Sequence, residues 1–229
     1  MTQITIQTPT PSKAESIQFY KKLGFRNFQC QNKELVTDGQ AIIEINDDHF
    51  ARPGLKFYKN SWSEEISVLH ENYSILDFSG GYLTTDPNGI WIYLIESNFK
   101  VEKSEEHSFS KLGNYAGISI ETISFEKSLD FYQILGFTIA AGSTESPWMT
   151  LTHPGGMGIS FMKPLNCPHL FLNPSLTYFN GASNPLVIDS IRSEGIPIAE
   201  EITHFNKEGE IDNIIIRDPG GLGFFIFND

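Results

Sequence analysis

The sequence predicts an α+β chain built from four strand–helix–strand–strand–strand (βαβββ) units, two in each half. Three observations carry this. The stretch Phe19–Phe25, FYKKLGF, returns as Phe131–Phe137, FYQILGF, 112 positions on (131 − 19). The turn Asp86-Pro87-Asn88-Gly89 returns as Asp218-Pro219-Gly220-Gly221, 132 positions on (218 − 86). Between these markers, short strand-like runs recur in the same order in both halves.

The first unit opens with a strand at Thr2–Gln7. A helix follows, with Ser12 as its N-cap, because a serine hydroxyl can accept from the unpaired amides of a first turn. Ser12 with Glu15 also fits a capping box. Gly24 fits the left-handed stop that ends such a helix. Strand-like runs then lie at Arg26–Gln31, Glu34–Thr37 and Ala41–Ile45. The second unit has a strand at Leu55–Lys59, a helix at Trp62–Tyr73 and a closing strand at Ile90–Ile95, after the Asp-Pro-Asn-Gly turn.

The second half repeats the plan. A strand at Tyr115–Glu121 precedes a helix capped by Ser124, on which Phe125, Leu129, Tyr132 and Leu135 form one apolar stripe. Gly136 again fits the stop. Strands follow at Thr138–Ser143, Trp148–His153 and Gly158–Met162. The fourth unit has a strand at Leu176–Asn180, a helix at Asn184–Gly195 and a closing strand at Leu222–Phe227. Aligned from Ser12 and Ser124, the two helix segments match at Ser16/Ser128, Phe19/Phe131, Tyr20/Tyr132, Leu23/Leu135, Gly24/Gly136 and Phe25/Phe137 as well. The larger offset at the closing turn gives the second half about 20 extra residues (132 − 112). The proline-rich loop Lys163–Pro174 takes up much of that excess. The polar stretch 98–113 reads as a linker, placing one domain at 1–97 and the other at 114–229.

Composition narrows the function. The chain has 229 residues, a net charge of −12 and a pI near 4.9. No Lys/Arg run appears, which argues against nucleic-acid and anionic-membrane partners. No apolar stretch has the length of a membrane span. The N-terminal segment lacks the apolar core of a signal peptide, so a cytoplasmic location is expected. Cys30 and Cys167 stand alone, with no CxxC pair, and read as ordinary thiols.

The two motifs together resemble the vicinal oxygen chelate superfamily, which includes glyoxalase I, the bleomycin-resistance proteins and the extradiol dioxygenases. Its signature helix stands here as Ser128-Leu129-Asp130-Phe131-Tyr132-Gln133-Ile134-Leu135-Gly136-Phe137, and its closing turn as Asp86–Gly89 and Arg217–Gly221. The resemblance implies two half-closed curved sheets with helices outside, each enclosing a cavity. Which modules share a sheet stays open. Because a tandem chain can replace a dimer of single-domain relatives, a monomer is possible.

The family's enzymes hold a divalent metal through His, Glu or Gln near the head of a module's first strand and in its last strand. Imidazole and carboxylate supply the lone pairs such ions need. The corresponding positions here hold Thr5, Leu55 or Lys56, and Tyr93 in the first half. In the second they hold Gly117, Ser175 or Leu176, and Phe225. None is a suitable ligand, so the expectation is no metal and no cofactor.

Aromatic residues stand there instead. Trp91, Tyr93 and Ile95 share one strand face by period 2, as do Gly223, Phe225 and Phe227. The expected activity is therefore binding of a small, flat, partly aromatic molecule in the second half, under the loop Lys163–Pro174. Its candidate lining is Trp148, Tyr178, His204, Arg217, Phe225 and Glu121, with Arg217 as counter-ion, and Trp91 and Tyr93 line the first cavity. A filled core is the bland alternative. A metal-dependent lyase or dioxygenase with relocated ligands, drawn from Glu44, Glu121, His153 and His204, is the catalytic one. Glu44 lies between apolar Ile43 and Ile45 and would face water on an exposed strand edge.

Overall fold

A computed structural model describes residues 2–101 and 107–228. It contains two mixed eight-stranded sheets. The first half contributes β1 (Gln3–Pro9), α1 (Lys13–Lys22), β2 (Arg26–Cys30), β3 (Lys33–Thr37), β4 (Ile42–Asn46), β5 (Gly54–Lys59), α2 (Ser63–Leu69), β6 (Leu76–Phe78), β7 (Gly81–Thr85) and β8 (Trp91–Glu96). The second contributes β9 (Tyr115–Glu121), α3 (Phe125–Ile134), β10 (Thr138–Gly142), β11 (Trp148–Thr152), β12 (Gly158–Met162), β13 (Ser175–Phe179), α4 (Asn184–Ser193), β14 (Ile198–Ile202), β15 (Asn213–Arg217) and β16 (Gly223–Phe227).

The strand order is β2-β3-β4-β1-β5-β8-β7-β6 in one sheet and β10-β11-β12-β9-β13-β16-β15-β14 in the other. First and second modules therefore share a sheet, as do third and fourth. In each sheet the first strands of the two modules, β1 with β5 and β9 with β13, pair antiparallel at the centre. Each first strand also pairs parallel with the last strand of its own module. The sheets curl into half-closed grooves, and the helices pack on the opposite faces.

Local chemistry explains the helix ends. Ser12 Oγ accepts the Glu15 amide at 3.4 Å, and Ser124 Oγ accepts the Lys127 amide at 3.3 Å. Gly24 and Gly136 leave their helices at φ +84° and +94°, where a β-carbon would be strained.

One apolar core runs through both halves, since α1 and α3 each pack against the other half. The Phe19 ring of α1 lies 6.1 Å from Phe224 on β16. The buried Tyr20 hydroxyl donates to Asp218 at 2.9 Å, and the buried Tyr132 hydroxyl donates to Asp86 at 3.1 Å. The tyrosine of each repeated helix thus ties down the closing turn of the other half. Each aspartate also caps its own turn. Asp86 Oδ1 accepts from the amides of Asn88 and Ile90, both at 2.8 Å, and Asp218 Oδ1 from that of Leu222 at 2.8 Å. Burial raises both carboxyl pKa values, and the hydrogen bonds oppose that shift.

Of the expected linker, residues 102–106 lie outside the described residues. Phe99 is buried with its ring 4.4 Å from that of Tyr58, and the Lys111 amide donates to the Leu23 carbonyl at 2.8 Å. Among the described residues, no helix is long and apolar enough to cross a membrane.

Candidate functional site

Register places three residues side by side at the centre of each sheet. In the first half Thr5 pairs with Lys56, and Lys56 with Tyr93. In the second, Gly117 pairs with Thr177, and Thr177 with Phe225. Lys56 and Thr177 therefore take the central places. Thr177 lies one or two residues beyond the Leu176 or Ser175 that spacing suggests.

Gly117 has a firm steric reason to be glycine. It sits at φ +114°, and a β-carbon there would lie 2.5 Å from the Gly158 carbonyl oxygen. No liganding side chain fits at that point without moving β12. Among the described residues, no group of three or more His, Cys, Asp or Glu side chains could hold a metal ion.

The first groove holds about 660 Å³. Trp91, Tyr93, Ile95 and Leu83 form its apolar wall, with Phe50 and Phe78 at the mouth. Its floor is ionic. Glu44 and Lys56 are 5% and 6% exposed. The Lys56 ammonium donates to Glu44 Oε1 at 2.7 Å, the Tyr58 hydroxyl donates to Oε2 at 3.0 Å, and Lys33 Nζ stands 3.5 Å from Oε1. Burial and nearby Lys33 pull the Lys56 pKa down, and Glu44 partly restores it. Glu44 does not face water: β4 is an inner strand between β3 and β1, and Lys56, Tyr58 and Lys33 pack over the carboxylate.

The second groove holds about 300 Å³. Phe171, Phe179, Phe205, Phe225 and Phe227 wall it, together with His169. Phe225 and Phe227 stack with ring centroids 5.4 Å apart and planes 3° from parallel. The inserted loop brings His169 and Phe171 over them. His169 lies 5.3 Å from Phe225 and 5.1 Å from Phe227, and Phe171 lies 4.9 Å from Phe225. The loop is pinned where Asn173 exchanges hydrogen bonds of 2.8 and 3.0 Å with the Glu121 backbone. On the floor the Ser119 and Thr177 hydroxyls meet at 2.7 Å. The lining includes no Lys, Arg, Asp or Glu. Cys167 also lines it, and burial, with nearby Glu121, pushes its thiol pKa up, away from the reactive thiolate.

The candidate residues from the sequence divide. Trp91 and Tyr93 line the first groove and Phe225 lines the second. Tyr178 does not. It faces the core, fully buried, and its hydroxyl donates to Asp38 of the first half at 2.8 Å. The registered pair Thr177–Phe225 puts Thr177 on the groove side and Tyr178 on the other. Trp148 is 43% exposed and shares the face of its partner Met162, but lies beyond the pocket lining. His204 is exposed in the turn after β14, not in a strand. Arg217 is exposed at the end of β15, outside the lining, so it is no counter-ion for this pocket. Glu121, at the end of β9, engages the loop through its backbone and is also outside the lining. His153 is buried in the turn between β11 and β12. Sequence reasoning reads Lys56 only as a position unable to ligate a metal and Glu44 only as a relocated ligand, and it leaves His169 a structural residue of the loop. Period-2 alternation along β5 could have suggested Lys56, but nothing in the sequence brings β4 beside it.

No family model and no curated protein sequence matches the chain. Solved structures do. The 2,3-dioxygenase LapB from Pseudomonas sp. KL28 superposes with TM-score 0.56 at 13% identity, covering 96% of this chain and 89% of that one. The H200E variant of homoprotocatechuate 2,3-dioxygenase from B. fuscum, in complex with HPCA, gives TM-score 0.60 at 14% identity, with 98% and 70% covered. The fold is that of the extradiol dioxygenases. The 2,2',3-trihydroxybiphenyl 1,2-dioxygenase of Sphingomonas wittichii strain RW1 matches over 99% of this chain and 92% of its own, with TM-score 0.55 and 13% identity. Coverage of this extent means that both sheets follow the extradiol dioxygenase arrangement.

Proposed function

We propose that this protein is a metal-independent binder of a small, flat, uncharged aromatic molecule, held in the groove of its C-terminal half. The observation that carries the reading is the pocket of about 300 Å³ walled by phenylalanines and roofed by His169 from the inserted loop. A volume near the lower end of ligand pockets suits one or two fused rings. Stacked and edge-on contacts with Phe171, Phe225 and Phe227 would supply about 0.5–1.5 kcal/mol each beyond area burial. The Ser119–Thr177 hydroxyl pair offers one polar contact, for a ligand hydroxyl or carbonyl. With no charged side chain in the lining, an ionised ligand would lose its hydration uncompensated.

The donor sets argue against a divalent metal at the sheet centres. One half presents an ammonium, a threonine and a tyrosine. The other presents a glycine with no room for a side chain, a threonine and a phenylalanine. The fold relation to dioxygenases is a relation of scaffold, because function resides in the site it carries.

A thermal-shift screen with phenol, indole and quinoline, beside benzylammonium as the charged control, tests the reading. The expected result is a rise in Tm with a neutral ring compound that disappears in Phe225→Ala. Binding unaffected by Phe225→Ala would move the ligand elsewhere. Stoichiometric iron, manganese or zinc in tag-free protein, lost on Glu121→Ala or His204→Ala, would restore the dioxygenase or lyase reading.

A further inference from the structure

We propose that the N-terminal groove is a second and separate site, for an aromatic carboxylate bound with its ring on Trp91 and Tyr93 and its anionic group on Lys56 and Arg52. The inference is independent of the pocket in the other half.

Charge placement carries it. The chain has 16 basic residues against 28 acidic ones, yet Lys33, Arg52 and Lys56 all line this one groove. The buried carboxylate at this floor, Glu44, is already committed on both oxygens: to Lys56 and Lys33 on one, and to Tyr58 on the other. Two ammonium groups thus share one carboxylate, leaving a positive excess at the floor. Arg52 adds to it. Its Nη1 donates only to the backbone carbonyls of Ala51 at 2.9 Å and His49 at 3.4 Å, and it makes no ion pair among the described residues. The acids in the lining, Asp48 and Glu96, stand exposed. One accepts the Phe50 amide at 2.8 Å and the other the Trp62 amide at 3.1 Å. Solvent weakens them, and of the two Asp48 still acts on Lys56, as the last of the influences on its pKa, whereas Lys56 is buried and keeps its field.

The wall beside these cations is flat and apolar. Lys56 Nζ sits 5.5 Å from the centroid of the Tyr93 ring, so cation and ring meet at one place. Gln7 shapes the opposite side. Its amide donates to the Arg52 carbonyl at 2.7 Å, and its oxygen accepts from Asn46 at 2.8 Å. That fixes the backbone of Arg52 over the groove while leaving the guanidinium free to turn toward a ligand. A guanidinium and an ammonium lining one groove with two rings match a carboxylate attached to a ring. A neutral ring would leave the cations unmatched, and a carboxylate without a ring would leave the wall wet.

The experiment follows the indole N–H signals of Trp62, Trp91 and Trp148 by NMR, assigned with Trp91→Phe, during titration with benzoate, 1-naphthoate and indole-3-acetate. Benzamide and acetate are the comparators. The expected result is saturable movement of the Trp91 signal with an aromatic acid, while Trp148 in the other half stays still. Benzamide and acetate should bind at least about tenfold more weakly, the effect of one charge-assisted hydrogen bond. Arg52→Gln, an exposed change that keeps the Gln7 bond to the residue-52 backbone carbonyl, should weaken the acid by a similar factor, and Lys56→Met by more. If Lys56→Met fails to fold, Arg52→Gln still decides. Equal affinity for benzoate and benzamide, no effect of Arg52→Gln, movement of Trp148 instead of Trp91, or no binding by any of the three acids would each overturn the proposal. Failure of the neutral-ring pocket would show in Phe225→Ala and leave these signals untouched.

Discussion

The two grooves are built on the same strand order, yet one is floored by charge and the other by hydroxyls and rings. Thr5–Lys56–Tyr93 and Gly117–Thr177–Phe225 occupy equivalent registered places. At the first set a buried ammonium needs Glu44 on the neighbouring β4. At the second the place of Glu44, opposite its own first strand, belongs to β12, where Ser160 pairs with Ser119. The scaffold therefore dictates where side chains converge and leaves open what chemistry converges there. A duplicated fold can keep two grooves in one chain, one ionic and one uncharged.

The largest effect should come from breaking the ionic floor. Glu44→Gln removes the partner of a Lys56 that is only 6% exposed. A buried charge left without its counter-ion costs about 3–5 kcal/mol. Lys33, at 27% side-chain exposure, can turn to water and adds little. The double variant Glu44→Leu/Lys56→Met should recover part of the loss, because an apolar pair needs no desolvation while the buried Tyr58 hydroxyl still loses its acceptor. Urea denaturation of the three proteins checks this. A Glu44→Gln protein as stable as the parent would show that Lys56 is solvated or neutral.

A smaller effect should separate the two closing turns. Tyr20→Phe and Tyr132→Phe each delete one hydrogen bond to a buried aspartate that crosses between the halves. Bonds to charged groups are worth about 1.5–3 kcal/mol, so each variant should lose about 2 kcal/mol. The turns differ in what remains. Asp218 Oδ2 keeps Thr8 from the first half at 2.7 Å, whereas Asp86 Oδ2 keeps only Asn88 of its own turn, at 3.1 Å. Adding Thr8→Ala to Tyr20→Phe should therefore lower stability further, whereas at the Asp86 turn the second link between the halves runs from Asn88 Nδ2 to Ser128 Oγ at 3.2 Å and not to the carboxylate itself. Equal denaturation midpoints for Tyr20→Phe and the double variant would mean that Thr8 does not stabilise the Asp218 carboxylate.

Much of this was readable in the sequence, and the unread part has a common cause. The repeated helix and the Asp-Pro turns mark the modules because each needs specific residues: serine at a cap, glycine at a left-handed stop, aspartate to hold its turn. Strand alternation placed Trp91 with Tyr93, and Phe225 with Phe227, on common faces. Absolute facing was not readable. Tyr178 and Thr177 are neighbours, and only the register of β13 on β16 says which points into the groove. Lys56 and Glu44 lie twelve positions apart in sequence (56 − 44) and meet across β1, a contact that exists only once three strands are aligned. His169 enters the second pocket from a loop with no periodicity to read.

The smallest expected effect concerns equivalent turns. Where the first half has Asp38 after β3, the second has His153 after β11. The Asp38 carboxylate caps its turn by accepting from the amides of Gln40 and Ala41 at 2.9 and 2.7 Å. His153 does the same with a ring nitrogen, Nδ1 accepting from the Gly155 amide at 2.7 Å. Such an acceptor must carry no proton, so the ring is neutral with hydrogen on Nε2, directed at the Leu135 carbonyl. Burial lowers the pKa of the ring, the Leu135 carbonyl opposing that shift. A base whose folded pKa is depressed contributes stability above its unfolded pKa and loses it as pH falls through the folded one. The contribution should therefore be complete at neutral pH and decline below about 6.5, the unfolded value for histidine. Replacing His153 by Asn, which can still accept from the amide, should flatten that decline by on the order of 1 kcal/mol between neutral pH and pH about 5. The comparison is the difference in denaturation free energy between parent and His153→Asn at the two pH values, which cancels the opposite-signed contributions of Asp86 and Asp218. An unchanged difference across that range would mean that His153 protonates as readily in the fold as in the unfolded chain, and that its turn is held by backbone hydrogen bonds alone.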